Sequence, residues 1–363
     1  MSDVAAAVKV AAEQLEIQHF ARPAIGPDAG LLRVESAGVG ASDPAHFRRP
    51  KPVPVIMGHE NVGVIEELGP IAAARWGLRA GDRIALHEYL PCWHCRWCLE
   101  GNFGLCVEGD MFNNAAPLRF GTSTSTIAPH LWGGFAQFLY LPPNAVIHRV
   151  PDGLSARVAS LAIPFGNGFQ WAVFDGGAGI NTKVLIFGPS QQGLGCAFAA
   201  KIAGASLVIL AGLSRDRARL AVGTRIGADA TIDAETQNLR ERVMELTGGS
   251  GVDVVVDTTG DETGSVVADA VAVAAKGAKL SLNGLGQSVP IGPMKRQNLT
   301  VRTPRSHSFR AVETALRYLS ETTMPVAEVC SHDFGLTDVA TAIYATGGKV
   351  IPDAIHVTVD PWK

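Results

Sequence analysis

The sequence predicts an α/β protein in which a β-rich domain precedes a doubly wound parallel sheet. Three observations carry this. Residues 1–150 hold short Val/Ile/Leu runs broken by Gly and Pro, the texture of short strands between turns. From residue 182 onward, fully apolar runs alternate with helical stretches, which implies strands covered on both faces. The 363 residues also exceed what one core serves, since cores stop growing at roughly 250–300 residues. The expected division is 1–155, 156–302 and 303–363, the last returning in part to the first domain.

The elements follow in order. "VIMGHENVGVIEELG", "GDRIALHEYL" and "AQFLYLPPNAVIHRV" read as strands of the first domain. "PDGLSARVASLAI" reads as a helix, with Asp152 or Ser155 as its cap. "KVLIFG", "LVILAG", "DATID", "VDVVVDTTG", "KLSLNGLG" and "NLTVRTP" are six strands, the size of a full dinucleotide-binding sheet. Between them lie the helices "GLGCAFAAKIAGA", closing on Gly204, "SRDRARLAVGTRIGA", "LRERVMELTGG" and "VVADAVAVAAKG". The tail gives helix, helix and strand, and its last strand is expected to rejoin the first domain.

Composition narrows the class of function. With 47% hydrophobic and 18% charged residues the chain is globular rather than disordered. A net charge of −3 without basic runs argues against nucleic acid and anionic membrane surfaces. The first twenty residues carry Asp3 and Lys9 and no apolar h-region, so no signal peptide is expected. No apolar run reaches the length of about 18 residues needed to span a bilayer, so the cytoplasm is the expected location.

"VLIFGPSQQGLG" follows a strand and opens a helix. Gly188 and Gly193 take the outer positions of a G-x-G-x-x-G pattern, and Ser190 stands in the middle. Gln191 and Gln192 begin the helix, whose N-terminal N–H groups suit a pyrophosphate. An acid at the end of the second strand would mark NAD; here Gly212, Ser214 and Arg215 stand instead. Gly212 leaves room and Arg215 can grip phosphate, which favours NADP(H) over NAD(H). The alternative is that Arg215, Arg217 and Arg219 decorate a solvated helix, with Asp216 paired to one of them.

Four of the six cysteines, Cys92, Cys95, Cys98 and Cys106, are separated by two, two and seven residues. Four thiolates in so short a loop suit a closed tetrahedral Zn²⁺ that folds the loop and leaves no position for substrate. An iron–sulfur cluster is the rival reading. Cys196 and Cys330 read as packing residues.

Taken together, "GHENVGVIEELG", "GDRIAL", the cysteine lobe, "WGGFAQFLYLP", "GPSQQGLG" and "GVDVVVDTTG" resemble the medium-chain dehydrogenase/reductase superfamily, in its zinc-containing alcohol and polyol dehydrogenase branch. The resemblance spans nearly the whole chain. It implies a GroES-like catalytic domain, a Rossmann domain, an active site in the cleft, and dimers or tetramers. The family's C-x-[S/T]-D motif, whose Cys is the first ligand of a catalytic Zn, aligns with "GASD". Gly40 then stands where the thiolate should be, Ser42 at the proton-relay hydroxyl, and Asp43 at the carboxylate behind the His ligand. "GHE" supplies His59 at the second ligand position and Glu60 beside it. Ile163 stands at a further ligand position, followed by Pro164.

With two ligand positions empty, no catalytic Zn is expected, because such sites use three protein ligands. A rearranged site, with Asp43 or His46 joining His59 and Glu60, is the rival. Without the metal, a hydrogen-bond donor must stabilise the oxyanion that hydride addition creates. Ser42, His59 oriented by Asp43, and Asn167 are the candidates, with Glu60 balancing charge. The expected activity is alcohol dehydrogenation or ketone/aldehyde reduction on a small molecule. The alternatives are 1,4-reduction of a conjugated carbonyl and a catalytically silent nucleotide-binding protein. In the long segment 109–134, Met111, Phe112, Phe120 and Trp132 point to an apolar or aromatic substrate, or to packing beneath the loop.

Overall fold

The computed structural model describes residues 3–51, 53–110, 112, 117–283, 289–346 and 350–363. The chain forms two compact units. One comprises Met1–Ile163, Ser308–Glu321 and Cys330–Lys363; the other comprises Pro164–His307 and Thr322–Val329.

In the first unit the strands are β1 (Asp3–Ala11), β2 (Gln14–Ala21), β3 (Gly30–Gly38), β4 (Val55–Ile56), β5 (Glu60–Leu68), β6 (Arg83–Leu86), β7 (Phe138–Leu141) and β8 (Ile147–Arg149). The second unit carries β9 (Lys183–Phe187), β10 (Leu207–Gly212), β11 (Ala230–Asp233), β12 (Val252–Asp257), β13 (Ala274–Leu282) and β14 (Thr300–Arg302). The chain then returns to the first unit as β15 (Cys330–Phe334) and β16 (His356–Val359).

The β-rich unit holds a sheet ordered β15-β16-β3-β5-β6-β8, with β7 also on β3, and a smaller sheet β2-β1-β4. The last strand lies in this sheet, where Thr358 pairs antiparallel with Gly38. The strand β15 was not expected, because "CSHDF" lacks an apolar pattern; parallel pairing with β16 supplies its order. The core includes Leu31, Leu32, Phe47, Ile56, Phe120, Trp132 and Phe135.

The second unit is an all-parallel six-stranded sheet ordered β11-β10-β9-β12-β13-β14. The order reverses between β9 and β12, the switch point at which doubly wound sheets bind ligands. Two local readings are corrected. The helix expected across "VVADAVAVAAKG" stops at Val273, and Ala274–Gly277 begin β13, where pairing with Val252 overrides the helix preference of alanine. After Ser155 caps a short helix, Ala156–Ala159, the chain continues as Ala162–Gly168 and a π-helical run, Phe169–Asp175.

Candidate functional site

The stretch Gly40–Ser42 leads into the short helix Asp43–Arg48, which Pro44 starts and the buried Phe47 anchors against Tyr344. Lys9, on β1, fixes the other end. Its ammonium is buried and donates to the carbonyls of His46 and Arg49, both at 2.7 Å. That is the favourable place for a cation on a helix.

Asp43 is fully buried and organises the site. Its Oδ2 accepts from the Gly40 N–H at 2.9 Å, and its Oδ1 lies 3.3 Å from His59 Nδ1. Burial disfavours charge on His59, but the Asp43 carboxylate, by charge and hydrogen bond, and then Glu60 and Glu88 outweigh it, raising His59 to about 9. His46 goes the other way: burial lowers it to about 4, so it is neutral and a poor electrophile. Ser42 is exposed and its hydroxyl caps nothing.

Gly40 decides what can bind here. A Cβ built on Gly40 would lie 2.4 Å from His59 Cε1 and 2.5 Å from Nε2. Such distances are far inside contact, so the imidazole occupies the space a cysteine side chain would need. Ile163 is buried and offers no ligand. Among the described residues, no cluster of three or more ligating side chains within 4.8 Å includes His59.

Sequence reasoning missed the support behind Glu60. His356 on β16 places Nδ1 3.9 Å from Glu60 Oε2, and its Nε2 lies 2.7 Å from Ser160 Oγ. Burial lowers His356 to about 3, so it is neutral. A Cβ on Gly38 would fall 2.5 Å from Glu60 Oε2 and 2.7 Å from the His356 ring, which is why that strand carries glycine there. A lone His in "AIHVTV" gives no signal of this; only pairing across the sheet does. Glu88, 3.3 Å from Arg119, was likewise not anticipated.

In the cysteine lobe the sulfurs of Cys92, Cys95, Cys98 and Cys106 all lie within 4.8 Å of one another, and none is in a disulfide. Cys98 and Cys106 are buried with Tyr89, Phe103 and Val146 in a small cluster of their own. Among the aromatic residues of 109–134, Phe120 and Trp132 belong to the core, and Trp132 Nε1 donates to the Ile127 carbonyl. They do not support an aromatic substrate. Phe112 is exposed, and Met111 lies outside the described residues.

In the second unit Gly188 takes φ +91°, a conformation that favours glycine. A Cβ on Gly193 would sit 1.8 Å from the Gly188 carbonyl oxygen, so only glycine lets the helix Gln191–Ile202 start this close to the strand. Ser190 precedes that helix and its side chain makes no capping hydrogen bond. Asn167, also in this unit, uses Oδ1 to meet His307 Nδ1 at 2.9 Å, which leaves its amide N–H groups as donors.

At the end of β10 the expected donors are already engaged. Ser214 Oγ donates to Asp233 Oδ2 at 2.7 Å, and the Ser214 N–H donates to Glu235 Oε2 at 2.8 Å. Arg219 pairs with Asp216 at 3.2 Å, while Arg215 is exposed.

Residues 26–152 match the alcohol dehydrogenase GroES-like domain family, and 193–321 match the zinc-binding dehydrogenase family. A probable alcohol dehydrogenase of Mycobacterium tuberculosis is 36% identical over 280 residues, 76% of this chain and 74% of that protein. The erythritol/L-threitol dehydrogenase of Mycolicibacterium smegmatis is 28% identical over 339 residues, 89% of this chain and 88% of that one. An alcohol dehydrogenase structure from Thermotoga maritima superposes with a TM-score of 0.86 at 22% identity, covering 99% of this chain and 100% of that chain.

Proposed function

The chain belongs to the medium-chain dehydrogenase/reductase superfamily, in its zinc-type alcohol dehydrogenase branch, and we propose that it interconverts a small alcohol and its carbonyl without a catalytic zinc. The observation that carries this reading is the place of His59 against Gly40, where a metal-binding thiolate has no room. With Ile163 apolar as well, the residues present do not fit that metal.

The bound nicotinamide supplies or takes the hydride. The chain's own task is to stabilise and protonate the substrate oxygen. His59, held positive by Asp43, presents its Nε2–H past Gly40, whose missing side chain leaves that edge of the ring uncovered. In reduction, Nε2–H donates to the carbonyl oxygen and passes its proton as hydride reaches carbon; in oxidation the neutral ring takes it back. Asp43 keeps the ring oriented and charged, as a buried carboxylate behind a histidine does. The exposed Ser42 hydroxyl carries the proton between His59 and water. Glu60 balances the charge.

The four thiolates of Cys92, Cys95, Cys98 and Cys106 are proposed to hold one structural Zn²⁺. Metal analysis tests both parts. Purified protein is expected to carry one zinc per chain, lost on Cys98→Ser. A second zinc that disappears in His59→Ala would sink the zinc-free reading. Incubation with reduced cofactor and a panel of ketones, aldehydes and enones separates carbonyl reduction from C=C reduction and from no turnover; alcohol product is expected.

A further inference from the structure

The surroundings of Ser214 carry an inference about which dinucleotide is bound, and it rests on the reading that the parallel-sheet unit binds one. Strands β10 and β11 end side by side, with Gly212 in register with Asp233. Gly212 stands where such sheets carry the acid that recognises an adenosine ribose. A side chain there is hindered, because a Cβ would lie 3.0 Å from the Pro189 ring. The acid is found on the neighbouring strand instead. Asp233 Oδ2 takes the Ser214 hydroxyl and Asp233 Oδ1 takes the Glu235 N–H at 3.0 Å, while Glu235 takes the Ser214 N–H. The Asp233 N–H is itself held by Gln237 Oε1 at 3.0 Å, so this turn is ordered by its own hydrogen bonds.

We propose that Asp233 and Glu235, acting on and beside Ser214, make NAD(H) the preferred cofactor and disfavour the 2′-phosphate of NADP(H). The sequence expectation, drawn from Gly212, Ser214 and Arg215 alone, is thereby reversed. A 2′-phosphate is an acceptor and needs donors. Both donors of Ser214 already point at carboxylates, so seating a phosphate breaks two hydrogen bonds and sets a dianion against two negative charges. A ribose 2′-hydroxyl carries its own proton and can donate to either carboxylate. Arg219 offers no relief, being paired with Asp216; the exposed Arg215 and Arg217, the latter lining the same pocket as Ser214 and Asp233, are the arginines that can counter the repulsion. Ser214, Arg215 and Glu235 are exposed and Asp233 is half-buried, so the discrimination weakens with salt.

Calorimetric titration of the intact protein with NAD⁺ and with NADP⁺ tests this without turnover. The wild type is expected to bind NAD⁺ at least about tenfold more tightly, a gap that narrows at high salt. In D233N/E235Q the ratio of the two dissociation constants should move toward NADP⁺ by about tenfold or more. Arg215→Ala should then weaken NADP⁺ in that variant while hardly moving the wild-type ratio. E235Q alone, on an exposed turn, gives a smaller shift in the same direction and stands in if the double variant does not fold. Equal affinity of the wild type for both dinucleotides, or an unchanged ratio in the folded variants, overturns the proposal and leaves the dinucleotide site standing. Binding of neither overturns both.

Discussion

The cysteine lobe and the Gly40 loop both lie in the β-rich unit, and the resemblance to zinc-containing alcohol dehydrogenases implies a metal in each. Here they have diverged. The lobe keeps four ligands, and its core is little more than Tyr89, Phe103 and Val146 around the sulfurs. The Gly40 loop offers no thiolate, yet it is fixed by Asp43, by the Lys9 cap on the helix end and by Phe47 in the main core. On the proposed reading, the difference teaches that a metal can be dispensed with where hydrogen bonds and packing already hold the geometry, and not where the ion would itself be the core.

The largest expected effect lies in the lobe. Binding of a structural zinc is worth about 10–16 kcal/mol in isolated finger peptides, so chelation or Cys98→Ser should leave 92–106 open to proteolysis. Survival of a protected lobe without metal would break the contrast. Next comes Asp43→Ala. It strands a buried imidazole and frees the loop, at a cost of about 3–5 kcal/mol in urea unfolding, with activity lost as well. Gly40→Cys should destabilise by about 1–3 kcal/mol through overpacking against His59. It should not bring in a second zinc, and one that did appear would show the loop to be a dormant metal site. Lys9→Met should cost about 1–3 kcal/mol by leaving two helix-end carbonyls unsatisfied.

The smallest effect is on pH dependence, and it has two sides. The raised His59 is stabilising below its unfolded value near 6.5, and that contribution is lost as pH climbs through about 9. His46 and His356 are depressed to about 4 and about 3. Their contribution is present above 6.5 and is lost as pH falls toward those values, because the unfolded chain binds more protons there. Thermal melts across pH should therefore sag on both sides, and Asp43→Asn should flatten the alkaline side while steepening the acid side, because Asp43 also raises His46 and burial alone lowers His59.

Much of the fold was legible because its signals are local. Five- and six-residue apolar runs such as "KVLIF" and "LVILAG" specify buried parallel strands wherever they occur. Strand β15 was not legible, since "CSHDF" is ordered only by its neighbour. The site divides in the same way. Gly40 and Ile163 stand out by the side chains they lack. His356 and Ser160 are 196 residues apart and meet only across the folded unit. The partners of Ser214, Asp233 and Glu235, were not legible because they come from the end of the next strand. Phe120 and Trp132 left two readings open, a substrate or packing beneath the loop, because burial inside a long loop leaves no trace in the sequence; they are packed in the core.

The return of β16 between β15 and β3 has a consequence for biosynthesis. The ribosome completes the parallel-sheet unit while the β-rich unit still lacks two strands of its larger sheet. The nucleotide-binding half can therefore finish folding first. The half that holds Glu60 must wait for His356, with the Ala37–Gly38 end of β3, beyond its pairing with β7, left as an open edge until it arrives. A nascent chain stalled just short of residue 356 should already bind dinucleotide yet still offer that edge to a chaperone.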